Sequence, residues 1–326
     1  MTSTTSPQID VHLDALAWRD AQADDARRSL SDPVPWLDPV WFYDEHGSDL
    51  FDEITRLPEY YPTRVEAALL EAHAGSLTDL GIETLVELGS GTSDKTRIIL
   101  DALTADDSLQ RYVPFDVSED TLRHAAADLS LRYPSLLVHG IVGDFHHHLG
   151  AIPAGDARLL AFLGSTIGNF QPEVRARFLG QLRTTLTPDD RLLLGIDLVK
   201  EADTLVRAYD DAAGVTAAFN RNALRVLNAE LGTDFDPDGF EHLARWDDTN
   251  AWIEMRLRAI ADQCVTVPGL SMPLRFARGD EIRTEISAKF TVERMTDELA
   301  AAGFDVDQAW CAPGDAFALL VARPAA

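Results

Sequence analysis

Apolar and polar positions change rhythm three times along the chain. Residues 12–30 alternate apolar and charged positions as a surface helix does, and three prolines between Ser31 and Pro39 end it. From Thr84 to Ile196 the short apolar runs TLVEL, YVPF, LLVHGIV, RLLAFLG and RLLLGI are separated by stretches of helical character. Strands that read as unbroken apolar runs, spaced by helices, predict a parallel sheet covered on both faces. Residues 201–231 read as a mostly helical segment broken near Gly214. HLARWDDTNAWIEMRLRAIADQCVTV then predicts two β-rich runs around an Asp-Asp-Thr-Asn turn. A helix over 292–302 and two short strands, 305–310 and 317–321, close the pattern. The whole predicts an α/β sheet that is interrupted and later resumed, with a second, smaller unit between.

With 326 residues the chain is one large domain or two intimate ones. A 46% hydrophobic and 25% charged composition excludes a disordered or collagen-like architecture. Charge is the outlier, because 28 Lys and Arg face 54 Asp and Glu, a net −26. So acidic a surface repels phosphate backbones, and neither nucleic acid nor an anionic membrane is an expected partner. Cys264 and Cys311 lack paired ligand spacing and signal neither a disulfide framework nor a zinc cluster. The first residues lack the basic start and apolar stretch of a signal peptide, and no apolar run approaches the about 18 residues of a membrane span. A cytoplasmic monomer is the expectation, since no heptad seam is visible.

Candidate chemistry concentrates in VELGSGTSDKT, Val86 to Thr96. An apolar strand ends in Gly89-Ser90-Gly91, where glycine permits unusual backbone angles and close approach of a ligand, and Thr92 or Ser93 can cap the next helix. Asp116 follows YVPF and suits ribose hydroxyls at the end of the second strand. Asp144-Phe145 follows the third run, where a carboxylate can face an adenine amino group and a ring can stack on it. A dinucleotide fingerprint would need glycine where Asp94 stands, and no Walker lysine follows, so pyrophosphate and P-loop readings are disfavoured. Glu87 before the turn and the acidic second-strand end resemble the class I methyltransferases that use S-adenosylmethionine. That cofactor is cationic and carries no phosphate.

Longer motifs sharpen the resemblance. WFYDEHGSDLFDEITRLPEYYPTR (Trp41 to Arg64), VELGSGTSDKT, FLGSTIGNF (Phe162 to Phe170), LLLGIDLVK (Leu192 to Lys200) and RAYDDAAGVTAAFNRN (Arg207 to Asn222) together resemble the histidine Nα-methyltransferases of ergothioneine biosynthesis, from about Pro35 to Ala322. The resemblance implies trimethylation of the α-amino group of L-histidine to hercynine with S-adenosylmethionine. It implies a Rossmann-like methyltransferase domain of residues 64–199 and 289–326, with helices on both sheet faces, and a smaller α+β substrate domain of residues 1–63 and 200–288. It puts Gly89, Lys95, Asp116, Asp144 and Phe145 at cofactor positions, and Tyr43 beside the reacting amine and methyl group. Tyr60, Asn169, Tyr209, Glu285 and Ser287 fall at histidine-binding positions, with Met255 near the imidazole. No metal is implied.

That chemistry suits these residue types. Methyl transfer from a sulfonium is a displacement in which alignment is the main task, and the amine must first lose its proton. No strong buried base is evident, and water can take that proton while Tyr43 orients the amine. Tyrosine faces suit the quaternary ammonium product. Asn169 and Tyr209 are neutral donors suited to the α-carboxylate. Glu285 can accept an imidazole N–H and Ser287 can supply a second hydrogen bond, the two sharing one face if Thr284-Glu285-Ile286-Ser287 is extended. Methylation of another amino acid such as tryptophan, or a non-catalytic adenosine-ligand sensor, are the competing readings. Glu285 argues against tryptophan, because an indole has one donor and no basic nitrogen. Three adjacent histidines, His146 to His148, cannot all point into one ordinary metal site and read as a solvated loop. Gly164-Ser165-Thr166 lacks the GxSxG elbow of a serine hydrolase.

Overall fold

The central apolar runs become strands because they are buried on both faces. In the computed structural model, which describes residues 6–91, 93, 95–105, 108–155, 157–271 and 273–326, every residue of Thr84–Leu88 and Arg158–Phe162 is buried. Contacts divide the chain into two compact units, one made of residues up to 14, 64–198 and 290–326, the other of 15–63 and 199–289.

The larger unit holds an eight-stranded sheet of β1 (Gln8–Val11), β2 (Thr84–Leu88), β3 (Arg111–Asp116), β4 (Leu137–Val142), β5 (Arg158–Phe162), β6 (Arg191–Asp197), β12 (Phe304–Cys311) and β13 (Phe317–Pro324). Its spatial order is β1-β4-β3-β2-β5-β6-β13-β12. Helices α3 (Pro62–His73), α4 (Thr96–Ala105), α5 (Glu119–Arg132), α6 (Pro172–Thr185) and α9 (Val292–Ala301) alternate with the strands. This is the expected α/β layout. Strand order reverses at β2, which pairs in parallel with β3 on one side and β5 on the other. In such sheets the crevice at the carboxyl ends of the reversing strands is where ligands bind. The VELGSGTSDKT turn stands there.

The runs read between Thr84 and Ile196 all pair in parallel. Beyond them β13 runs antiparallel to both β6 and β12, and a tight turn at Pro313–Asp315 joins the last two strands as a hairpin. One expectation needs correction. Residues 1–63 are expected in the substrate domain, yet β1 is a parallel edge strand of the large sheet, in register Gln8↔His139 to Val11↔Val142. QIDV is short and half polar, so it carries no buried-strand pattern. Its place is marked by the Asp10 carboxylate accepting from His139 Nε2 at 2.8 Å.

In the smaller unit, α1 (Ala15–Leu30), α2 (Glu45–Arg56), α7 (Ala202–Tyr209) and α8 (Val215–Leu231) accompany a three-stranded antiparallel sheet of β7 (Phe240–Asp247), β8 (Trp252–Ala259) and β11 (Glu281–Ala288), in the order β11-β8-β7. A two-stranded ribbon, β9 (Gln263–Val265) with β10 (Leu274–Phe276), completes it. The core is apolar and shared by helices and sheet: Phe42, Phe219, Leu224, Leu227, Ile253, Leu257 and Ile282 are all buried. Gly47 is required where α2 meets the preceding loop, since a Cβ there would lie 1.8 Å from the Phe42 carbonyl oxygen. A register shift between Arg283 and Glu285 marks a bulge in β11, after which Glu285 faces Met255 and Ser287 faces Ile253 across β8. Bulges re-aim side chains. Here the bulge sets which residues of β11 stand beside Met255.

Candidate functional site

In the larger unit the glycine turn is held from below by a buried polar network. Gly89 and Gly91 have φ of +69° and +48°, in the left-handed region that glycine tolerates. The Gly89 amide donates to the Phe115 carbonyl at 2.8 Å, tying the turn to the end of β3. Glu87, 4% exposed, accepts from the Tyr112 hydroxyl at 2.6 Å and from the Thr96 hydroxyl at the start of α4. Burial pushes the Glu87 carboxyl up to about 7, against the two hydrogen bonds. Ser93 and Tyr112 hydroxyls are bonded at 2.9 Å, so the descent from turn to helix rests on the same network. Thr92 and Asp94 lie outside the described residues.

Asp116 ends β3 with its carboxylate accepting the Gly91 and Ser118 amides, each at 2.9 Å. Burial raises its pKa and these amides oppose the rise. Asp144 follows β4 and accepts the His146 amide at 2.8 Å. The ring of Phe145 packs with those of Phe162, Phe170 and Phe178 at 5.6, 6.2 and 5.7 Å between centroids. Lys95 is ion-paired with Glu66 of α3, and the fully buried Glu66 carboxylate also accepts the Gly164 amide at 2.7 Å. Strand-end pairing therefore brings Gly89, Asp116, Asp144 and Phe145 to one edge of the sheet. Asn169 closes a turn at Thr166–Asn169 after β5.

These residues fit an adenosine-bearing cofactor without phosphate. The turn offers glycine backbone and carboxylates, and its one described lysine is already neutralised by Glu66. Among the described residues the buried Ser90 Oγ, within the turn itself, has no hydrogen-bond partner. Such an orphaned group calls for a ligand or water.

The smaller unit collects the other candidates. At the end of α7 the Tyr209 hydroxyl is 2.7 Å from Ser287 Oγ of β11. Lys289 Nζ donates to Ser287 Oγ at 2.8 Å and to Tyr209 Oη at 2.9 Å, and lies 4.7 Å from the centre of the Tyr209 ring. The lysine is 0% exposed. Rings then run in sequence: Tyr209 meets Tyr60 edge-on at 6.1 Å, Tyr60 meets Phe51 at 6.3 Å, and Phe51 meets Tyr43 at 5.9 Å. Glu285 is pushed up to about 7 by burial, with Lys289 pulling the other way. Among the described residues its carboxyl makes no hydrogen bond. Met255, buried, stands opposite it across β8.

Alignment of this group is fixed by a polar chain behind it. The Thr284 hydroxyl, inside the bulge, donates to Asn220 Oδ1 at 2.6 Å. Asn220 Nδ2 donates to His242 Nδ1 at 2.8 Å, and His242 Nε2 donates to the Tyr209 carbonyl at 2.8 Å. Burial lowers the His242 pKa, which suits the neutral ring this chain requires. The fully buried Thr284 and Asn220 thereby tie β11 to the end of α7.

Tyr43, Tyr60, Tyr209, Met255, Glu285 and Ser287 thus belong to one unit, and Gly89, Lys95, Asp116, Asp144, Phe145 and Asn169 to the other. The hydroxyl of Tyr209, expected as a neutral donor to an α-carboxylate, lies 2.7 Å from Ser287 Oγ and 2.9 Å from Lys289 Nζ. Glu66 and Lys289 are not singled out in the sequence. Glu66 leaves no signal in the mixed pattern of α3, whereas Lys289 could have been found by extending the alternation Glu285, Ser287 by one more step. The three histidines diverge: His147 is exposed, His146 lies 4.8 Å from Phe170, and His148 Nδ1 is 3.1 Å from the Asp144 carbonyl. Only His147 fits a solvated loop. Among the described residues no group of three or more His, Cys, Asp or Glu could hold a metal ion, and no helix is long and apolar enough to cross a membrane.

Comparison with known proteins adds the following. Residues 22–324 match the family described as histidine-specific, S-adenosylmethionine-dependent methyltransferase. The chain is 51% identical over 312 residues to histidine N-alpha-methyltransferase of Mycolicibacterium smegmatis, covering 95% of this chain and 97% of that protein. It is 49% identical, over the same shares, to histidine N-alpha-methyltransferase of Mycobacterium tuberculosis. It is also 32% identical over 225 residues to ergothioneine biosynthesis protein 1 of Schizosaccharomyces pombe, covering 65% of this chain and 29% of that protein.

Proposed function

The chain belongs to the histidine-specific, S-adenosylmethionine-dependent methyltransferase family, and from that premise we propose that it adds three methyl groups in turn to the α-amino nitrogen of L-histidine, giving hercynine on the way to ergothioneine. Histidine Nα-methylation is the activity; the methyl count and the duty of each side chain are the reading. The observation that carries the side-chain reading is Glu285, a part-buried carboxyl with no hydrogen bond among the described residues, two positions from the Ser287 hydroxyl.

When bound, S-adenosylmethionine supplies a methyl carbon carried on a cationic sulfur. Gly89, Lys95, Asp116, Asp144 and Phe145 would hold it, with Asp116 accepting from ribose hydroxyls, Asp144 from the adenine amino group, and Phe145 beside the adenine ring. In the smaller unit Glu285 accepts an imidazole N–H, and Met255 flanks the ring. A ligand lacking that N–H leaves the carboxyl buried and unmatched, which is costly. Tyr43 orients the amine without acting as its base, and water takes the proton released at each methylation. Each added methyl removes an N–H, so hydroxyls and ring faces serve all three steps better than a carboxylate clamp. The aromatic faces of Tyr43, Tyr60 and Tyr209 suit the final quaternary ammonium. Asn169 supplies an amide donor to the substrate carboxylate.

On this reading the protein is a cytoplasmic monomer whose partners are histidine and its mono- and dimethyl forms. A net charge of −26 supports the exclusion of nucleic acid and anionic membranes. Mass spectrometry of histidine incubated with the protein and excess S-adenosylmethionine tests the methyl count. Accumulation of the trimethylated product is expected, whereas a product that stops at one or two methyls contradicts the reading.

A further inference from the structure

Resting on the reading that Lys95 stands at a cofactor position, we propose that Glu66 is a positioning residue that cancels the charge of Lys95 and so lets the site favour the cationic methyl donor over its neutral product. Burying a carboxylate is costly, and Glu66 is 0% exposed. Its oxygens accept the Gly164 amide at 2.7 and 3.0 Å, and one of them is ion-paired with Lys95. The fold keeps space for the carboxylate, since a Cβ on Gly195 would lie 2.1 Å from its Oε1. A backbone amide needs an acceptor, which a neutral carbonyl oxygen also supplies. The negative charge therefore answers to Lys95, whose side chain is 26% exposed and forms the outer member of the pair.

What a paired lysine achieves follows from the charges of the two ligands. S-adenosylmethionine carries a carboxylate, an ammonium and a sulfonium, and so one net positive charge. When its methyl leaves, the bonding pair stays on sulfur, and S-adenosylhomocysteine is a thioether without net charge. The lysine ammonium suits the carboxylate that both ligands share, yet unpaired it would repel the sulfonium that only the donor has. Paired with Glu66, Lys95 keeps its N–H donors and presents little net charge to a third group. Glu87 feels such opposed fields, because Lys95 lowers its pKa and Glu66 raises it. The turn can then hold the carboxylate without penalising the sulfonium. Each methylation releases one thioether, so this bias also lightens product inhibition.

The test is calorimetric titration of the full chain with S-adenosylmethionine and with S-adenosylhomocysteine, at one pH and low salt. E66Q keeps an oxygen for the Gly164 amide and removes the charge. It should raise Kd for S-adenosylmethionine about tenfold or more, and change Kd for S-adenosylhomocysteine by less than about threefold. A loss as large with S-adenosylhomocysteine, or no loss with either ligand, would mark Glu66 as a structural prop and overturn the proposal. Removing both charges in E66Q/K95M should weaken both ligands and return the ratio of their Kd values to within about threefold of the unaltered protein's. A ratio that stays where E66Q leaves it contradicts the proposal. K95M alone separates the proposal from the reading beneath it. It should raise Kd for S-adenosylhomocysteine at least about fivefold; an unchanged Kd refutes Lys95 as a cofactor contact, and the proposal with it. Should E66Q fail to fold, K95M still decides, because the ratio must then hold or move in favour of S-adenosylmethionine. A move in favour of S-adenosylhomocysteine overturns the proposal.

Discussion

Two carboxyl groups, Glu87 and Glu285, are each pushed up to about 7 by burial, and they differ in what surrounds them. Glu87 is sealed against the Tyr112 and Thr96 hydroxyls, whereas Glu285 makes no hydrogen bond among the described residues. The first serves the fold, and the second is the group proposed to accept the imidazole N–H. Linkage gives Glu87 a measurable signature. Its carboxyl titrates near 4.5 when unfolded and near 7 when folded, so its contribution is whole below about pH 4.5 and is lost as pH rises through 7. Glu87→Gln cannot ionise and escapes that loss. Its unfolding free energy relative to the unaltered protein, measured by denaturant titration, should therefore climb from pH 5 to pH 8, by an amount on the order of a few kcal/mol. A difference that stays flat across that range contradicts the assignment. Legibility at this scale follows from chemistry. Asp116 and Asp144 stand at strand ends, where position alone suggests a ligand. Glu66 and Lys289 are charged residues sealed inside the protein, and nothing in a linear pattern marks a buried ion.

Elements explain why Glu66 can be buried at all. It projects from α3 onto β6 at Gly195, where a Cβ would come 2.1 Å from Glu66 Oε1 and 3.3 Å from the Phe317 ring. The carboxylate cannot step aside without releasing the Gly164 amide and Lys95. Gly195→Ala should thus destabilise the protein by about 1–3 kcal/mol, as overpacked cores do, and weaken S-adenosylmethionine binding through Lys95. Thermal unfolding and calorimetric titration check the two effects, and an alanine variant unchanged in both contradicts the packing argument. The same scale shows which elements a sequence reveals. Runs such as RLLAFLG and RLLLGI announce themselves because both faces are buried. β1 does not, because an edge strand of four residues with a half-exposed face has no pattern to read. Nor is the bulge in β11 visible, since one extra residue changes register without changing composition.

Across the whole molecule the chain crosses between its two units at residues 14/15, 63/64, 198/199 and 289/290. The breaks in apolar rhythm near Ile196 and after Ala288 foreshadow two of these crossings, while the crossing after Asp14 does not disturb the pattern. Separate units divide the labour of the reading: strand ends and a glycine turn for the methyl donor, a bulged strand and a row of rings for the acceptor. The central claim is that Glu285 selects the imidazole of histidine. Its most direct test is a competition between histidine and tryptophan for labelled methyl groups, run with the unaltered enzyme and with Glu285→Ala. The unaltered enzyme should favour histidine in kcat/KM by about a thousandfold or more, and Glu285→Ala should reduce that preference at least about tenfold through KM. A preference for histidine that survives the substitution undiminished would contradict the account.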